Sequence, residues 1–261
     1  MNFKKALIFF GVATPICILL NCLIMFFTIE NQSGFFRTGY DSLAIIMLVI
    51  IAVLMVLSYV SFAKIKRPAA PDFWKFVYSG CSFILGVCLF IETFKFTPLI
   101  GTGELFAGLI RLFGILSGVT FLVCAVENLL NITFFKPIYI IPVIYYIFRI
   151  ISAFIYYAAV ATIVEASFEL FAICAMLIFT MNFAKAQNGI KNKKGKTLPL
   201  NVSAICAITI ITQIAPYIVN VFSKQEILLH ANSLFVPSSI SLFLFIIASS
   251  LFANKKEITV E

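Results

Sequence analysis

Eight apolar blocks, each about as long as a bilayer crossing, are strung along this 261-residue chain. They run over 6–29, 43–63, 76–94, 105–126, 138–164, 167–183, 200–222 and 234–252. A helix needs roughly 20 apolar residues to cross roughly 30 Å of hydrocarbon. Composition agrees. Hydrophobic residues make up 62% and charged residues 11%, where a soluble domain carries about 25% charge. The expected fold is therefore all-α: a polytopic transmembrane bundle of eight helices with short loops, forming one membrane domain over 1–261.

The breaks carry turn and charge signals: Glu30 to Gly34, Lys64 to Pro71, Thr97 to Gly103, Lys185 to Lys196, and Ser223 to Asn232. The fifth and sixth blocks are separated only by Glu165–Phe168, read as a tight hairpin. Taken as one helix they would run to roughly 46 residues, too long for one crossing. Pro237 suits the first turn of the last helix.

The basic residues set an orientation. Short cytoplasmic loops collect Lys and Arg. With the N-terminus inside, fourteen of the 19 basic residues fall on the inner side, and Arg37, Lys95 and Lys224 on the outer. Arg111 and Arg149 lie within blocks. This alternation needs an even number of crossings, so both termini are expected in the cytoplasm. The first block reads as a retained anchor, since no small-x-small site follows its long apolar run. The net charge of +8 is that same bias and calls for no nucleic acid. The stretch Lys185 to Lys196 can also hold anionic headgroups.

The seven cysteines all lie inside blocks, with no C-x-x-C pair, and read as small packing residues. His230 is the single histidine, so a His-rich metal site is excluded. There is no Walker A loop, no G-x-S-x-G elbow and no dinucleotide fingerprint. No cofactor is expected, and an enzyme is disfavoured because no Asp, Glu or His lies near a block centre. Asn31-Gln-Ser33 matches a glycosylation pattern, which matters only in a secretory pathway.

Polarity inside the blocks carries the functional expectation. A charge at bilayer depth costs at least roughly 2.5–3.5 kcal/mol and normally faces the bundle interior. Arg149 lies close to the midplane of the fifth block, Arg111 in the outer half of the fourth. Tyr145, Arg149, Ser152 and Tyr156 share one helical face, and Thr209, Gln213, Pro216 and Asn220 repeat the spacing in the seventh block. Pro216 cannot donate to the Thr212 carbonyl, which becomes a free acceptor. Gly114 and Gly118 form G-x-x-x-G, a close-approach motif. Blocks four, five and seven are expected to converge on a polar interior, with Glu92, Glu104, Glu165 and Glu169 near its outer mouth. There Arg149, Arg111, Gln213, Tyr145, Ser152, Tyr156 and Asn220 would bind or move a small anionic or amphiphilic ligand. The plain alternative is packing: Arg149 bonded to protein oxygens and fixing register, Arg111 snorkelling outward.

The first block followed by Asn31-Gln-Ser-Gly-Phe-Phe36, in a chain rich in Lys, Ile, Phe and Asn, resembles uncharacterised multipass membrane proteins of Gram-positive anaerobic bacteria. The resemblance implies a bacterial plasma membrane and no activity. Two readings stay open. A transporter predicts a cavity reaching Arg149. A non-catalytic membrane subunit or assembly partner, contacting lipid and another membrane protein, predicts a closed bundle with a Phe-rich groove facing lipid.

Overall fold

The structure, a computed structural model, describes residues 3–29, 36–63, 65, 71, 73–95, 103–132, 134–159, 163–190, 198–223 and 236–251. For 95, 156–159, 163–168 and 220–223 it describes the backbone. The helices are α1 (Phe3–Leu23), α2 (Asp41–Phe62), α3 (Trp74–Lys95), α4 (Glu104–Leu130), α5 (Ile141–Ala159), α6 (Ile163–Gln187), α7 (Leu200–Ser223) and α8 (Val236–Ser250). A π-helical turn, Ile24–Thr28, prolongs α1, and a 3-10 turn, Lys136–Ile140, leads into α5. The chain is an all-α polytopic bundle, as expected.

Seven of these helices are long and apolar enough to cross a bilayer. The eighth, α8, has 15 residues, about 22 Å at 1.5 Å per residue. The expected fifth block also changes. The backbone at Glu165–Phe168, where a hairpin was expected, is helical, since α6 already begins at Ile163 and α5 ends at Ala159. Glu and Ser misled the reading; Glu is a good helix former, and polar character alone does not break a helix.

Six helices close a ring. Each of α3 to α8 packs on the next, and α8 returns to α3. Helices α1 and α2 pack on each other and on α7, outside the ring. Pair contacts give the directions. Along α3 and α4, Tyr78 meets Cys124, the Ser82 hydroxyl donates to the Phe121 carbonyl at 2.7 Å, and Gly86 meets Gly118. These helices are antiparallel. Trp74 donates to the Ala248 carbonyl at 2.8 Å and Ser241 to Cys88 Sγ at 3.2 Å, so α3 and α8 are antiparallel too. Helices α1 and α7 run parallel, with Ala6 packed among Leu200 and Ala204, and Asn21 bonded at Thr212. The start of α1 and the end of α8 thus share one end of the bundle, as an even number of crossings requires.

The ring is filled in two ways. Toward that end sits an aromatic plug of Tyr78, Phe121, Tyr139, Phe179, Phe183 and Phe245, with ring centroids 5.1–6.2 Å apart. Offset and edge-to-face pairs at such distances add roughly 0.5–1.5 kcal/mol beyond burial. The Glu127 carboxylate ties this level to the loop after α4 by accepting from the Tyr139 hydroxyl and the Phe134 N–H. Toward the other end the filling turns polar.

Candidate functional site

The polar level is built from α3, α4 and α5. Tyr145 and Arg149 are four residues apart on α5, so they stand one above the other on one face. Glu92 comes from the last turn of α3. The Arg149 guanidinium donates through Nη1 to the Glu92 carboxylate and to the Tyr145 hydroxyl, the latter at 3.0 Å. Its carbon lies 5.8 Å from the Tyr145 ring centroid, within cation–π range. Arg149 is 5% exposed, Glu92 6% and Tyr145 1%.

Helix α4 contributes an absence of side chain. At Gly114, a Cβ would run into the Thr93 hydroxyl and meet the edge of Tyr145 at 3.2 Å. Gly114 therefore lets Thr93 and Tyr145 close over the pair. Phe148 stacks on Phe113 at 5.3 Å and meets Phe106 edge-on at 5.3 Å, covering the flank between α4 and α5. Gly118, the other half of the G-x-x-x-G, faces Gly86. A Cβ on either would stand 2.9–3.0 Å from the other's carbonyl oxygen. Gly118 thus serves close approach of the helices, and its partner glycine lies on α3.

The site differs from the expected convergence. Arg149, Tyr145 and Ser152 come together as expected on the buried face of α5. Arg111 is exposed on α4 and is not buried with Arg149. Gln213 is buried on α7, but its Oε1 accepts from Asn21 Nδ2 of α1, at 3.5 Å. Helix α7 packs on α1, α2, α6 and α8, so the ring places α6 between it and α5. The side chains of Tyr156 and Asn220 lie outside the described residues, as does that of Glu165. Of the other expected mouth carboxylates, Glu104 is exposed while Glu92 and Glu169 are buried.

Three polar groups named from the sequence take places or partners that the sequence reading did not give them. Glu92 was placed at the mouth and not beside Arg149. The Thr212 carbonyl, freed by Pro216, is taken by Asn21 Nδ2 at 2.7 Å. Glu169 is buried on α6, 1% exposed. A count held the signal for the first and third. Within the eight blocks the only acidic residues are Glu92 and Glu169 and the only basic ones Arg111 and Arg149.

Electrostatically, the site is closed. The guanidinium charge is met by a carboxylate in the same buried layer, so little net field remains to draw an anion. No group of three His, Cys, Asp or Glu that could hold a metal is found among the described residues. A cavity of about 170 Å³ lies elsewhere, lined by residues of α1, α2, α7 and α8, and Arg149 is not part of its wall. The chain matches no protein-family model, no curated sequence and no solved structure.

Proposed function

We propose that this chain is a non-catalytic multipass subunit of the bacterial plasma membrane, with both termini cytoplasmic, and that the Arg149–Glu92 pair is an internal lock. One observation carries the reading: the intramembrane arginine is buried and bonded to Glu92 and Tyr145. A ligand anion would have to displace Glu92, stranding a carboxylate in hydrocarbon at a cost of roughly 3–5 kcal/mol. A closed ring and a groove flanked by Phe10 and Phe62 also fit the subunit reading better than a central pathway.

The lock is tested by removing both charges. Glu92→Leu alone is expected to lose the folded, monodisperse protein in detergent. Glu92→Leu combined with Arg149→Met is expected to restore melting close to wild type, since apolar replacement of a buried pair is often neutral. A double variant no better than the single would sink the lock. Orientation is tested separately: a reporter joined after Lys256 should be cytoplasmic.

A second reading is transport of a small anionic or amphiphilic ligand at Arg149. The buried Ser152 hydroxyl, three residues from Arg149 and without a hydrogen-bond partner, favours it. Intramembrane polarity beyond what the pair uses is a functional signal. This reading expects Arg149→Gln to stay folded and lose uptake.

A further inference from the structure

The cavity at the end of the bundle shared by α1, α2, α7 and α8 has a chemistry of its own. Leu7 and Phe10, Phe62, Leu200 and Ala204, and Ile246 are among its wall residues. The wall surface it presents is apolar, although Ser203 and Ser250 are also among the lining residues, and the cavity is partly open at the surface. Phe10 and Phe62, both in its wall, meet edge to face at 6.1 Å. An apolar cavity of roughly 150 Å³ stays dry and takes a benzene-sized guest. One of about 170 Å³ has room for a hydrocarbon segment of similar size.

Charge sits at its rim. Lys4 and Lys5 are exposed, and they precede Leu7 on α1 by less than one turn. In sequence, the other three wall helices also run directly into basic residues: Lys64, Lys66 and Arg67 follow Phe62; Lys194 and Lys196 precede Leu200; Lys255 and Lys256 follow Leu251. Asp72 and Glu257 are the nearest acidic residues in these stretches, so the balance is strongly positive. The positive-inside rule accounts for the lysines but not for an apolar cavity at their level.

We propose that this groove holds one acyl chain of an anionic phospholipid, whose phosphate is met by Lys4 and Lys5. The hydrocarbon segment lies along Phe10 and Ala204, and the headgroup stays in the interface where lysines are attracted to anionic lipid. The inference rests on the membrane reading of the chain and is independent of the role given to Arg149.

The test uses the full chain in nanodiscs and in detergent, with phosphatidylglycerol and phosphatidylcholine as probes. Native mass spectrometry should show one phosphatidylglycerol retained, at about tenfold preference over phosphatidylcholine. The pair Lys4→Gln and Lys5→Gln, both exposed, should abolish the headgroup preference while leaving the fold intact. Ala204→Phe should fill the groove and abolish retention of both lipids. As a check that needs no groove variant, phosphatidylglycerol with a photoreactive acyl chain should label peptides containing Leu7–Phe10 or Leu200–Ala207. Equal retention of the two lipids, a preference unchanged by the lysine variants, or labelling confined to other helices would each overturn the proposal.

Discussion

The ring of α3 to α8 and the α1–α2 pair outside it are made of the same kind of sequence and held by different forces. Helix α2 is the most apolar of the candidate spans and the least buried, whereas α7 is about two-thirds buried along its apolar stretch. The buried face of α7 carries Ser203, Thr212 and Gln213, while α2 leaves Ile45, Ile46, Val49, Val53, Val56 and Val60 exposed. In water the order would be reversed. In a bilayer the hydrophobic effect does not separate a helix surface from its solvent. Association then follows close packing and hydrogen bonds, so the polar helices gather inside. The ring has both devices, in Gly86 against Gly118 and in the buried pair. The α1–α2 pair has a small apolar cluster around Cys17, Ile24, Ile51 and Ile208, and the Asn21 hydrogen bond.

The comparison breaks most readily at the two arginines. Arg149→Gln should strand Glu92 and destabilise the ring by roughly 3–5 kcal/mol. The same change at exposed Arg111 should stay within about 0.5 kcal/mol. Thermal melting in one detergent gives both numbers. Similar melting temperatures for the two variants would mean that burial does not rank these charges, and the ring would lose its claim to be the rigid unit.

Close approach gives the next largest effect. Gly86→Leu must push α3 off α4, because even a Cβ there meets the Gly118 carbonyl at 2.9 Å. Overpacking of this kind costs roughly 1–3 kcal/mol. Gly108→Leu is the matched control on the same pair of helices, with nothing within 4 Å of an added Cβ. It should be neutral or slightly stabilising, since glycine is a poor helix former. Urea or heat titration of the two proteins side by side decides the matter.

Much of this was legible before the fold was known, and the limit follows sequence distance. The helices themselves announce their length through continuous apolar runs. Tyr145 beside Arg149 follows from the helical repeat alone, as does the free carbonyl at Thr212 from Pro216. What could not be read is which element supplies the second partner. Glu92 and Arg149 are 57 residues apart, and Asn21 and Thr212 are 191 apart; no local pattern relates them. Arg111 failed for a related reason. Helical spacing fixes which residues share a face but not which face turns inward, and α4 turns Ala107, Ile110, Gly114 and Phe121 to the ring.

The smallest effect tests the attachment of α1. Asn21→Leu removes the donor to the Thr212 carbonyl and should cost on the order of 0.6–1.7 kcal/mol, the range found for hydrogen bonds between membrane helices. Faster hydrogen exchange is expected in α1 and α2 alone, with α3 to α6 unchanged. The cause can be isolated with Pro216→Ala. Alanine restores the N–H that an unbroken helix would donate to Thr212, so the carbonyl no longer depends on α1. In that background Asn21→Leu should lose at least half its cost, a coupling that a double-mutant cycle reads directly. If the cost is the same with and without Pro216, the asparagine works through Gln213, 3.5 Å away, and the proline has no part in attaching the pair. If exchange instead rises throughout the ring, the two regions are one cooperative unit and the distinction between them fails.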